Sequence, residues 1–90
     1  MITARKFIVT GRVQGVGFRY FACTVAARHG VGGTVRNLPD GTVEAVAEGP
    51  ESAADGFAAD LLRGPRSGRV DRVVEEPAEP SGRSAFNVLP

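Results

Sequence analysis

The stretch that most constrains this chain runs from Lys6 to Gly30, where one hydrophobic period gives way to another across two glycines. Phe7, Val9, Gly11 and Val13 alternate with Ile8, Thr10 and Arg12, a period of two that predicts a strand over Lys6–Val13 with the first set on one face. Phe18, Phe21, Ala22, Val25 and Ala26 then recur at intervals of three and four, the buried stripe of a helix that ends near His29-Gly30. Only Gln14 to Gly17 remain to turn the chain between them. Gly15 and Gly17 suit that task because glycine enters left-handed conformations that a Cβ forbids.

The remaining punctuation extends the pattern. A second strand is expected over Thr34–Leu38, a hairpin turn at Pro39-Asp40-Gly41, and a third strand over Thr42–Glu48 returning antiparallel. Gly49-Pro50-Glu51 opens a second helix with Ala54, Phe57, Ala58, Leu61 and Leu62 as its buried stripe, and Gly64-Pro65 ends it. Gly56 inside that helix costs about 1 kcal/mol relative to alanine, which packing must offset. After a loop at Arg66–Gly68, Arg69–Glu76 reads as a fourth strand and Ser84–Leu89 as a short last one. The order β-α-β-β-α-β predicts an α+β, ferredoxin-like sandwich: an antiparallel sheet with two helices on one face. That architecture hosts unrelated functions, so it does not select one.

Ninety residues suit a single domain spanning 1–90, with one modest core. Eleven basic against ten acidic residues leave a net charge of +1, which gives no global field for holding a polyanion. The single cysteine, Cys23, has no partner for an internal disulfide, as suits a reducing compartment. The apolar run after Arg5-Lys6 stops at Thr10-Gly11, so neither a signal peptide nor a membrane span is expected, and a cytoplasmic location follows as the expectation.

A glycine-bearing loop feeding a helix is a natural anion site. The loop's N–H groups can converge, the first helical turn adds unpaired N–H groups and a positive dipole end, and the Arg19 guanidinium fits two oxygens of a phosphate. The same residues also satisfy a tight strand-to-helix connection with an incidental surface arginine. No Lys-Ser or Lys-Thr pair follows the glycines, and Tyr20 stands where a dinucleotide fingerprint carries its last glycine. Asn37, beside the hairpin, offers a carboxamide that can orient a water or bond to its own turn.

Gly11-Arg12-Val13-Gln14-Gly15-Val16-Gly17-Phe18-Arg19, coupled to Val35-Arg36-Asn37 and Gly41-Thr42-Val43-Glu44, closely resembles the acylphosphatase family, whose signature links a G-x-V-Q-G-V-x-F-R loop to a downstream V-x-N. The resemblance runs from about Phe7 to the C-terminus. It implies hydrolysis of the carboxyl-phosphate bond of a small-molecule acyl phosphate, with Arg19 and Asn37 as catalytic residues and Asn37 orienting the attacking water. It implies that Val13, Gln14, Gly15, Val16, Gly17 and Phe18 join Arg19 in binding the phosphoryl group. It implies no metal or organic cofactor, no nucleic-acid or membrane partner, a monomer, and a loop that phosphate or sulfate would also occupy.

The residue types agree with that chemistry. The site motifs contain no histidine, cysteine or carboxylate, hence no general acid, covalent nucleophile or metal-ligand set. A phosphate monoester would need its alkoxide protonated, whereas a mixed carboxylic-phosphoric anhydride leaves as a stable carboxylate. Two rival readings stand beside this one: a nucleic-acid-binding module and a non-catalytic anion-binding domain. The predicted third strand lacks the aromatics on which bases stack, which counts against the first.

Bland roles are expected for the other reactive side chains. His29 reads as structural, Cys23 as packed against the first helix, and Glu75-Glu76-Pro77-Ala78-Glu79 as an exposed strand end. Arg12, Arg36, Arg69 and Arg72 read as solvated or paired surface groups, of which Arg12 and Arg36 flank the motifs where they could help attract an anion. Thr34 stands where many relatives carry an aromatic, and the ending Phe86-Asn87-Val88-Leu89-Pro90 lacks the basic or aromatic finish of many of them.

Overall fold

The computed structural model describes residues 1–90. Its elements are β1 (Ile2–Arg12), α1 (Phe18–His29), β2 (Gly32–Asn37), β3 (Val43–Pro50), α2 (Glu51–Arg63), β4 (Arg69–Ala78) and β5 (Phe86–Val88). The five strands form one sheet in the order β4-β1-β3-β2-β5. The first four pair antiparallel, as the β-α-β-β-α-β pattern requires. β5 lies parallel to β2, so the complete sheet is mixed rather than purely antiparallel. No helix is long and apolar enough to cross a membrane.

Pairing partners, rather than alternation, decide where strands end. β1 begins at Ile2, four residues before the apolar alternation, because β3 continues to Pro50 and the two residues are paired. β2 spans Gly32–Asn37 and leaves Leu38 in the turn, because the register with β3 ends at Asn37 opposite Val43. Thr34, where an aromatic is common, is buried and paired with Val46 on one side and Asn87 on the other.

The core lies between one sheet face and both helices. Phe7, Val9 and Val13, with Val35, Val43, Ala45 and Ala47, meet Phe18, Ala22, Val25 and Ala26 of α1 and Phe57 and Leu61 of α2. Phe57 sits between Phe7 and Phe86, with ring centroids 5.5 and 5.7 Å away, so α2 is anchored to the sheet's first and last strands at once. Each such ring contributes about 1.5–3 kcal/mol through burial. Leu62, expected in the α2 stripe, is 57% exposed. The sheet meets only the narrow face of Ala54, Phe57 and Leu61, and Leu62 lies one position beyond it.

The helices cross where Gly56 stands. A Cβ built there would lie 2.5 Å from Nδ1 of His29, so the glycine makes room for an imidazole packed between α1 and α2. His29 Nε2 donates to Asp60 Oδ2 at 2.7 Å, and Arg28 reaches the same oxygen at 2.9 Å. His29, and after it Arg28, holds the Asp60 carboxyl below its usual range. The histidine is thus a helix clamp, as its isolation from other reactive residues suggests.

At the end of the sheet opposed to the β1–α1 loop, Glu48 of β3 is 4% exposed. Its carboxylate accepts hydrogen bonds from the backbone N–H groups of Ser81, Gly82 and Arg83 and from the Ser81 hydroxyl. Burial pushes this carboxyl up, but the donors together outweigh it and hold the group below its usual value. Their effect on the chain is to fix the return from β4, so that β5 enters alongside β2 in the parallel sense.

Candidate active site

The register of β1 against β4 shifts between Thr10 and Gly11, a bulge that re-aims the strand as it leaves the sheet. The chain then turns through Gly15 (φ 74°) and Gly17 (φ 78°), the latter capping α1. A Cβ at either position would meet nothing within 4 Å, so the requirement is conformational and not one of space.

Two contacts pin this loop. Gln14 Nε2 donates to the carbonyls of Leu38 at 2.8 Å and Thr42 at 2.9 Å, spanning the β2–β3 hairpin. The Ser67 hydroxyl donates to the Val16 carbonyl at 2.6 Å from the opposite side. Gln14 and Val16, both expected to touch ligand, brace the loop through these contacts, and neither is among the residues that wall the cleft. The main-chain N–H groups from Gln14 to Tyr20 donate to no carbonyl in the loops and caps. No acidic side chain occupies the first turn of α1, so its positive end is not neutralised.

Arg19, in that turn, is exposed and enters none of the ion pairs that hold Arg5, Arg28, Arg36, Arg63 and Arg69. Asn37 ends β2 across from the loop. Its Oδ1 is buried and has no hydrogen-bond partner, a costly condition that the fold nonetheless retains. A cleft of about 370 Å³ brings the two together. Val13, Gly15, Gly17, Phe18, Arg19 and Asn37 line it. The remaining walls are Tyr20, Cys23 and Val88.

Sequence reasoning missed these last three as site residues. Cys23 follows Arg19 by four positions on α1 and so shares its face, a signal that placing Arg19 in the cleft makes available, whereas Tyr20, one position on, carries none. Val88 gives no local signal, since only the parallel pairing of β5 brings it there. Burial raises the Cys23 thiol above its ordinary value, keeping it a protonated packing group as expected. Arg36 pairs with Glu44 at 3.0 Å, a paired surface group as read from the sequence. No cluster of three or more His, Cys, Asp or Glu side chains is arranged to hold a metal ion. β3, from Val43 to Pro50, carries no aromatic residue on which a base would stack.

A sequence model of the acylphosphatase family matches residues 5–88. The chain is 49% identical over 76 residues to an acylphosphatase of Koribacter versatilis, covering 84% of this chain and 69% of that protein. To an acylphosphatase of Thermus thermophilus it is 48% identical over 81 residues, 90% of this chain and 92% of the other. It superposes on the crystal structure of acylphosphatase from Bacillus subtilis with a TM-score of 0.93 and 37% identity, covering 99% of both chains.

Proposed function

This chain belongs to the acylphosphatase family, an enzyme family whose substrates are small-molecule acyl phosphates, and we propose that Arg19, Asn37 and the Gln14–Phe18 main chain carry the hydrolysis. The observation that carries the assignment is the shared cleft: an unpaired guanidinium, the loop residues Gly15, Gly17 and Phe18, whose N–H groups have no loop acceptor, and a carboxamide whose buried oxygen has no partner border one cavity.

Each group has a task. The loop N–H groups and the Arg19 fork bind the phosphoryl oxygens and neutralise the charge that grows on them in transfer. The Asn37 carboxamide accepts from a water and holds it in line with the bond to be broken. Water oxygen bonds to phosphorus, the bond from phosphorus to the acyl oxygen breaks, and its electron pair leaves on a carboxylate that needs no proton. The proton lost by the water passes to a phosphoryl oxygen of the substrate, since no protein base borders the cleft. The scheme assigns no step to a second chain, a metal or an organic cofactor, and the free thiol suits a cytoplasmic location.

The test is phosphate release from benzoyl phosphate in the presence of a chelator. Turnover that persists with chelator and collapses in Arg19→Ala and Asn37→Ala supports the scheme. Near-normal turnover in either variant removes that residue from it.

A further inference from the structure

Six large hydrophobic side chains are exposed, namely Met1, Ile2, Tyr20, Leu62, Val74 and Val88, and two of them border the same cleft as Arg19. Tyr20 is 79% exposed and Val88 47%, although nothing in their own elements requires an apolar residue to face outward there. Tyr20 leaves α1 one residue after the guanidinium. Val88 stands on edge strand β5, opposite Val35, and Cys23 also lines the cleft.

The lining is of two kinds. The loop glycines, Arg19 and Asn37 are suited to an anion. The rest is apolar: Val13 and Phe18, both buried, and Tyr20, Cys23 and Val88 from two elements distant in sequence, and at about 370 Å³ the cavity exceeds what a phosphoryl group alone fills. A substrate held by its phosphoryl end must direct the rest of itself somewhere, and Tyr20 and Val88 are the exposed large hydrophobic side chains of that lining.

Resting on the reaction assigned above, we propose that Tyr20, Cys23 and Val88 form an acyl-group subsite that selects aryl and bulky aliphatic acyl phosphates over acetyl phosphate. An aromatic ring can lie against the Tyr20 face while its far edge meets Val88. An acetyl methyl is too short to gain from either. Because the wall is open to water on one side, its discrimination belongs at the low end of what apolar pockets achieve, about five- to tenfold.

The experiment compares kcat/KM for benzoyl phosphate and acetyl phosphate in the wild-type protein, Tyr20→Ala, Tyr20→Phe and Val88→Thr. Acetyl phosphate serves as the internal reference within each variant, so global unfolding does not imitate a change in selectivity, and Tyr20→Ala, on α1, tests the wall without altering β5. The benzoyl-to-acetyl ratio is expected to fall about five- to tenfold in Tyr20→Ala, to fall less in Val88→Thr, and to survive in Tyr20→Phe, which keeps the ring. An unchanged ratio in both Tyr20→Ala and Val88→Thr overturns the subsite while leaving the reaction standing. Failure of the wild-type protein to release phosphate from either substrate overturns the reaction itself. A wild-type dimer that dissociates on Tyr20→Ala, with the ratio constant, assigns the wall to a second copy of the chain and overturns the subsite.

Discussion

Gln14 Nε2 lies 2.8 Å from the carbonyl oxygen of Leu38, the residue that follows Asn37, and so the β1–α1 loop and the strand bearing Asn37 are held as one unit. The same nitrogen also reaches Thr42 across the turn at 2.9 Å. Removing this side chain unlinks the two halves of the cleft without touching a group proposed to meet substrate through its own side chain. Gln14→Ala is expected to lower stability by about 1–2 kcal/mol, the net contribution of two hydrogen bonds, since the Leu38 and Thr42 carbonyls keep the backbone donors Gly41 and Leu38. It should also lower kcat by more than it raises KM, a split that steady-state kinetics alongside urea denaturation would reveal.

Arg19 carries no structural contact that its loss would break. Arg19→Ala is therefore expected to leave the unfolding midpoint nearly unchanged, within about 0.5 kcal/mol, as for exposed sites in general. Turnover of benzoyl phosphate should fall by about 100- to 1000-fold, the scale of losing a donor aimed at transition-state charge. Arg19→Lys keeps the charge but not the fork, and should recover only part of the loss.

Asn37 makes the complementary case. With Oδ1 unpartnered in the protein, Asn37→Ala removes no intramolecular bond at that atom and relieves a buried polar group. Kinetics should show kcat down by about 100-fold with KM close to wild type, since the residue is assigned to the water rather than to the phosphoryl group. A rise in KM with kcat preserved would assign it to substrate binding instead.

Gly56 and His29 invite a double-mutant cycle. Helix propensity alone says that Gly56→Ala stabilises α2 by about 1 kcal/mol. The 2.5 Å approach of the new methyl to the imidazole says the reverse, because the ring can move aside only by giving up its bond to Asp60. Gly56→Ala is expected to destabilise the wild-type protein by about 1–2 kcal/mol, the ordinary cost of overpacking. In a His29→Ala background the same substitution should stabilise, and thermal denaturation of the four proteins would measure the change of sign.

Glu48 ties stability to pH. Its carboxyl is held below the ordinary glutamate value of 4.5, so between the two values the unfolded chain binds the proton and the native one does not. The contribution is therefore complete above that ordinary value and is lost as pH falls through it toward the depressed native one. Glu48→Gln keeps the shape while removing the titration. Denaturant midpoints measured from pH 6 downward should decline less steeply for the variant, which should also be less stable at neutral pH.

What the sequence makes legible is what depends on near neighbours. Phe7, Val9 and Val13 declare a strand face, Gly15 and Gly17 a turn, and Phe18 to Ala26 a helix stripe, and Arg19 falls into place from these alone. Asn37 reads ambiguously by itself, because a turn asparagine and a water-holding one look alike until a loop some twenty residues away is set beside it. The parallel sense of β5, the Val88 wall and the Glu48 clamp are invisible along the chain. Each depends on partners separated by thirty residues or more, and no local period encodes such a meeting. Gly56 is instructive in a different way: read along α2 it is a weakness, and only the arrival of His29 from α1 makes it a fit.

Because Val88 reaches the cleft from β5, a strand paired to β2 at only three positions, catalysis of bulky substrates doubles as a gauge of whether that strand is docked. A chain whose tail has not yet docked could already possess its glycine turn and its guanidinium, and so handle acetyl phosphate, yet it would be blind to the difference between a methyl and a phenyl ring. During refolding, chemical competence should thus emerge first and discrimination afterwards, separated by the time the tail needs to find its place.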